Sequence, residues 1–302
     1  MVASAPDWSR AVALAGALGV LLAMWWPIRL LIAGRTERRF EAAHPRNRGG
    51  IIIGAEPILV RGTRPGAVLV LHGFNDSPQS VAHLAGTLHE AGWTVCVPAL
   101  PGHARTLQEF ARSGARQWTD AARDEFRVLR ERHSQVAVCG LSMGGALALT
   151  LAAENPEVAA VVGIAPYVHL SLPLRLLFAI GPVAAIGARY LSGGGKRSVH
   201  DPVAADAMIA YRVSTPRLLR QLSAVAHRAF VDLPRVHQPV LIVQSREDNR
   251  IPQRSAVKAF ERIGSPDKSL QWVSGAGHVI TVDYGHERVE RNIAEWLNTR
   301  LA

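Results

Sequence analysis

Ser142, Asp248 and His278 are the residues whose types, order and surroundings could assemble a nucleophile. Ser142 is the centre of Gly140-Leu141-Ser142-Met143-Gly144. The stretch 135–139 before it reads as a short buried strand, and the small-residue stretch 145–153 after it reads as a helix. G-x-S-x-G at such a strand-to-helix turn bends the backbone sharply at the serine and lifts its hydroxyl clear of the sheet. The flanking glycines leave room for the strand and helix to cross closely. A serine hydroxyl is a weak nucleophile near neutral pH, so it needs a base, and the base needs an orienting group.

At such an elbow the partners are expected in the order Ser, acid, His, each on a loop after a strand. The apolar run Pro239-Val240-Leu241-Ile242-Val243-Gln244 reads as a strand, and Asp248 falls in the loop behind it. Leu270-Gln271-Trp272-Val273 reads as another strand, followed by the glycine-rich loop Ser274-Gly275-Ala276-Gly277-His278. Glu247 is the nearest rival acid, one register step away. Among the 12 histidines, His286 comes too late, near the start of the last helix, and His83, His89 and His133 suit a solvated helix surface. An oxyanion hole takes the N–H after the nucleophile, here Met143, and a second from the loop after an earlier strand. The strand 67–71 runs into His72-Gly73-Phe74-Asn75, which makes the Phe74 N–H the second donor and leaves its ring to line the acyl pocket beside Met143. His72 is expected to organise that loop rather than to do chemistry.

His72-Gly73-Phe74, Pro101-Gly102-His103, Gly140-Leu141-Ser142-Met143-Gly144-Gly145, Asp248 and Gly277-His278-Val279-Ile280-Thr281, with Asp283 closing the last motif, together resemble the α/β-hydrolase superfamily. The chain is most similar there to the bacterial carboxylesterase and monoacylglycerol lipase group, over about residues 50–300. One departure is Ala104, where the group usually has a second glycine after the histidine. The resemblance implies an α/β-hydrolase fold, a mostly parallel sheet with helices on both faces and a small cap. It also implies a serine esterase acting on short-to-medium acyl esters or monoacylglycerols, with no cofactor and no metal. The same serine machinery would serve a thioesterase, an acyltransferase or a C–C hydrolase, and a non-catalytic membrane-anchored binding protein is a further alternative.

Strand and helix signals alternate from about 50 to 165 and again from 239 to the end, as in one large α/β domain. The alternation breaks at about 166–236, where the resemblance places the cap, giving domains 1–48 and 49–302. Residues 176–188 carry no charge, so Leu176 and Phe178 are expected either to line an acyl tunnel or to pack plainly against the core. Gly193-Gly194-Gly195-Lys196 lacks the spacing and preceding strand of a phosphate-binding loop. Cys96 and Cys139 fall inside strands that are not neighbours in the family's sheet order, and read as small core residues.

Residues 11–33 contain a single charge, Arg29, and 11–26 is unbroken apolar sequence with Trp25 and Trp26 at its end. This predicts an N-terminal membrane anchor, with a cleaved signal peptide or a hydrophobic helix packed on the domain as rivals. The flanking arginines predict a cytoplasmic catalytic domain. Of the net charge of +10, residues 29–64 supply half, with eight Arg against three Glu. That distribution suits a juxtamembrane segment. No nucleic-acid recognition motif accompanies it.

Overall fold

Runs of Val, Leu, Ile and Ala without polar alternation make strands that must be covered on both faces, and helices between them supply the cover. The computed structural model describes residues 8–168, 188–192 and 198–301. In chain order its elements are α1 (Trp8–Ala43), β1 (Ile58–Val60), β2 (Ala67–Leu71), α2 (Ala82–Glu90), β3 (Thr94–Val97), α3 (Leu107–Arg112), α4 (Ala115–Arg130), β4 (Val136–Leu141) and α5 (Met143–Glu154). There follow β5 (Val158–Ile164), β6 (Leu191–Ser192), α6 (Pro202–Ala207), β7 (Val213–Ser214), α7 (Pro216–Asp232), β8 (Val240–Ser245), α8 (Gln253–Arg262), β9 (Lys268–Val273) and α9 (His286–Asn298).

The main sheet runs β1-β3-β2-β4-β5-β8-β9, with β1 antiparallel and every other neighbouring pair parallel. Alternate residues of β2 serve opposite cores. Leu69 and Leu71 join Phe110, Trp118, Phe126 and Leu218 on one face, and Val68 and Val70 join Leu84, Leu88, Val289 and Ile293 on the other. The first layer is α3, α4, α5, α7 and α8; the second is α2 and α9. Helix α4 shows how this is encoded: Trp118, Ala122, Phe126 and Leu129 fall on one stripe and are buried, while the arginines between them face out. Helices α6 and α7 start where the chain supplies a cap and a proline. Asp201 accepts from the Val203 and Ala204 N–H groups ahead of α6, and Thr215 accepts from Leu218 N–H ahead of α7. Parallel pairing brings the C-terminal ends of β2, β4, β8 and β9 to one edge of the sheet, so the loops that carry Phe74, Ser142, Asp248 and His278 emerge together. Cys96 and Cys139 are unbridged and buried, in β3 and β4, with β2 between them.

The expectation of a transmembrane anchor is corrected. Residues 11–33 do lie within one helix, α1, but among the described residues no helix is long and apolar enough to cross a membrane. The uncharged run ends after 16 residues, about 24 Å of helix against a hydrocarbon core of about 30 Å, and Pro27 and Arg29 follow it. The membrane partner and the anchored localisation that depended on this span lose that support. The C-terminal part of α1 packs on the domain. Ala33 and Phe40 are buried, and Glu37 accepts hydrogen bonds from Gln108 at 2.8 Å and the Tyr190 hydroxyl at 2.6 Å.

Candidate active site

The β4–α5 turn forces Ser142 to φ 53° and ψ −110°, a left-handed φ that a residue with a side chain rarely adopts. Three backbone bonds hold it there: the Ser142 N–H donates to the Ile164 carbonyl at 2.8 Å, and its carbonyl accepts from Tyr167 N–H at 3.0 Å and from Ala146 N–H at 3.1 Å. The glycines are required by close approach. A Cβ on Gly144 would lie 2.1 Å from the Leu71 carbonyl oxygen, and one on Gly140 would lie 2.2 Å from the Gly144 backbone. Strand and helix therefore cross at main-chain contact, which turns the serine outward.

His278 Nε2 lies 2.8 Å from Ser142 Oγ, and His278 Nδ1 lies 2.8 Å from Asp248 Oδ2. With the carboxylate ionised, Nδ1–H donates to Asp248 and the Nε2 lone pair accepts from the serine hydroxyl. Asp248 is fixed from the other side by the N–H groups of Arg250 (2.7 Å) and Ile251 (2.8 Å) on Oδ1 and by the Gln244 side-chain amide (2.8 Å) on Oδ2. Burial pushes the Asp248 carboxyl up, but the facing His278 and these donors overcome it and hold the group below its ordinary range. The three side chains thus form one continuous hydrogen-bonded line, although they come from positions 142, 248 and 278.

The rival residues lie elsewhere. The Glu247 carboxylate accepts from Gly275 N–H at 3.2 Å and from the Ser245 hydroxyl, and so braces the histidine loop. His286 pairs with Glu290 at the head of α9. His72 is fully buried; Nδ1–H donates to the Gly73 carbonyl (2.9 Å) and Nε2 accepts from Leu100 N–H (3.1 Å). Burial lowers its pKa to about 4, so it is a neutral loop organiser.

Phe74 sits on the loop after β2, its ring packed 5.4 Å from Phe110 and 6.0 Å from Trp118. Met143 heads α5, where first-turn N–H groups have no partner within the helix. Its side chain is wholly buried. Leu176 and Phe178 lie outside the described residues. Among the described residues, no three His, Cys, Asp or Glu side chains gather as a metal site.

Three residues have supporting roles that sequence reasoning does not assign. Gln244 is a wholly buried polar side chain in an otherwise apolar strand, and that oddity was the available signal. Asp283 accepts four backbone N–H groups, from Gly277 (2.6 Å), His200 (2.8 Å), Asp201 (2.9 Å) and Tyr284 (2.9 Å). It therefore ties the histidine loop to the segment leading into α6. Asp76, on the loop after β2, is buried, and burial raises its pKa to about 7 against a smaller opposing pull from His278.

The family model described as serine aminopeptidase, S33, a hydrolase family, matches residues 62–284. A thermostable monoacylglycerol lipase of Bacillus sp. (strain H-257) is 30% identical over 250 residues, 80% of this chain and 94% of that one. A carboxylesterase of Bacillus subtilis (strain 168) is 29% identical over 235 residues, 76% of this chain and 92% of that one. Among solved structures, one of the metagenome-derived lipolytic enzymes LipS and LipT superposes with a TM-score of 0.75 at 34% identity, covering 82% of this chain and 99% of its own. On this geometry and these matches, the chain belongs to the serine aminopeptidase (S33) family of α/β-hydrolases.

Proposed function

We propose that this protein hydrolyses carboxylic esters, short-to-medium acyl esters or monoacylglycerols, through an acyl-enzyme on Ser142. The observation that carries the reading is the unbroken Ser142–His278–Asp248 hydrogen-bonded line at a strained strand-to-helix turn. Relatives named monoacylglycerol lipase and carboxylesterase support the substrate class.

Ser142 Oγ attacks the ester carbonyl carbon while His278 Nε2 takes its proton. Asp248 stabilises the imidazolium that forms and keeps the ring in the working tautomer. The carbonyl oxygen becomes an oxyanion received by the Phe74 and Met143 N–H groups, each worth roughly 3 kcal/mol of barrier. The intermediate collapses by breaking the bond to the alkoxy oxygen, and His278 returns its proton to the leaving alcohol. Water repeats the sequence on the acyl-enzyme, with His278 again as base, and releases the acid. Attack needs a neutral imidazole.

Labelling with a fluorophosphonate probe, followed by a chain-length series of chromogenic esters and monoacylglycerols, tests this. Wild type is expected to label and to turn over butyrate to medium-chain esters, and Ser142→Ala to do neither. Undiminished turnover by Ser142→Ala would overturn the assignment.

A further inference from the structure

Tyr211, in the segment between α6 and β7, takes no part in the mechanism above, yet several independent contacts meet on it. Its main-chain N–H donates to the Asn75 carbonyl at 2.8 Å, one residue beyond the Phe74 amide. Its hydroxyl accepts from the Arg105 N–H at 3.0 Å and donates toward the carbonyls of Gly102 (2.9 Å) and Arg105 (3.0 Å). The side chain thereby grips the loop after β3 while the backbone grips the loop after β2. Its ring stacks on Phe110 at 4.1 Å and 8°, and Phe110 packs on the Phe74 ring. Gln79 fastens the same segment just upstream, accepting from Ile209 N–H and donating to the Ala207 carbonyl, each at 3.0 Å.

Asn75 shows why such a hold is needed. It has φ 67°, a left-handed backbone that asparagine tolerates better than other residues with side chains, and the Tyr211 N–H on its carbonyl fixes the loop in that conformation. An oxyanion donor works by being aimed in advance, so whatever fixes Asn75 also fixes the amide before it. The remaining contact comes from outside the catalytic sheet. Phe40, near the end of α1, stacks on Tyr211 at 4.9 Å and 13°, while Glu37 one turn earlier binds Gln108 of α3. Helix α1 lies before residues 62–284, the part of the chain that the family model matches.

We propose that Tyr211 is the positioning residue of the oxyanion loop and that the last turns of α1 clamp it through Phe40, which makes this N-terminal helix a working part of the site. The proposal rests on the reading of Phe74 N–H as an oxyanion donor.

The test uses the full chain and a p-nitrophenyl butyrate assay, with binding of an alkyl boronic acid as the measure of tetrahedral-oxyanion recognition. Tyr211→Phe keeps the ring and the backbone N–H but loses the hydroxyl bonds. Phe40→Leu keeps apolar bulk but loses the stack, and Phe40→Tyr keeps the stack. Tyr211→Phe and Phe40→Leu are expected to lower kcat about tenfold with KM within about twofold, short of the roughly hundredfold or greater loss of a whole donor. Boronate affinity is expected to fall in parallel, and Phe40→Tyr to behave as wild type. Wild-type kcat in both impaired variants, or a change in KM alone with unchanged boronate affinity, would overturn the proposal. Ser142→Ala run alongside separates the two levels. If it stays active, the proposed function fails; if it is dead while Tyr211→Phe and Phe40→Leu match wild type, only the clamp fails.

Discussion

At Asp248 the carboxylate is surrounded by donors: imidazole N–H, two backbone N–H groups and the Gln244 amide. Replacing it with Asn leaves one accepting oxygen for four donors and turns an NH2 toward some of them. The His278 tautomer that accepts from Ser142 then loses its support. Asp248→Asn is expected to lower kcat by about 10²–10⁴-fold with little change in KM, read from steady-state kinetics. Comparable kcat in the variant would show that the imidazole is oriented by something else. Asp283 has a different burden, since its four N–H donors all belong to loop backbone. Those donors oppose burial and hold its carboxyl below the ordinary range, so its contribution to stability is present above about pH 4 and is lost as pH falls through the lowered value. Asp283→Asn is expected to cost about 2 kcal/mol at pH 7, from donors left unpaired, in denaturant unfolding. A variant as stable as wild type at pH 7 would mean that the loops hold themselves.

At the scale of elements, α5 is held at main-chain distance from the end of β2, with Gly144 the contact point, as it is from β4 at Gly140. Gly144→Ala would put a methyl 2.1 Å from the Leu71 carbonyl oxygen, a clash that no side-chain rotation relieves. The strand and helix must separate, at an expected cost of about 3 kcal/mol or more and roughly 10 °C in Tm by calorimetry. An unchanged Tm would show that the crossing is looser than drawn. The same crossing explains what the sequence made legible. Local rules sufficed for the β4–α5 elbow and for the strands β2, β4, β5 and β8, because continuous apolar runs and glycine placement are written within a few residues. The triad was legible because each member follows a strand in a fixed order. Gln244, Asp283 and Tyr211 were not, since their meaning lies in partners that only tertiary folding brings near, as with Tyr211 and Asn75 at positions 136 residues apart. The span expected of the N-terminal segment is left without support for the opposite reason. Composition alone suggested a span, whereas Arg29 and Pro27 fall inside α1 and its last turns carry Glu37 and Phe40 onto the domain.

For the whole molecule, buried titratable groups near the loops after β2 and β3 contribute to the pH dependence of folding, and they pull in opposite senses. His72 has an ordinary pKa of 6.5 and a folded value of about 4, caused by burial. Between those values the unfolded chain takes up a proton that the folded chain refuses, so stability falls as pH drops from about 6.5 to 4, by up to about 3 kcal/mol. His103, also driven down by burial, acts in the same direction. Asp76 does the reverse, rising from 3.8 to about 7 through burial, with His278 partly offsetting it. Its folded form keeps a proton that the unfolded chain gives up, so this contribution is complete below about pH 4 and is lost as pH rises through about 7. Between about pH 4 and 6.5 the Asp76 slope opposes that of His72 and nearly cancels it, so His103 leaves a net loss of stability toward acid, and above about pH 7 none of these groups adds a further slope. Asp76→Asn removes the opposing Asp76 contribution alone. Its Tm relative to wild type is expected to be lowest at pH 4, where both forms are uncharged at this position, and to climb by several degrees by pH 8, where wild type must bury a carboxylate. Using the difference between two pH values cancels whatever the amide does to packing. A Tm offset identical at pH 4 and pH 8 would show that Asp76 ionises as freely in the folded chain as in the unfolded one.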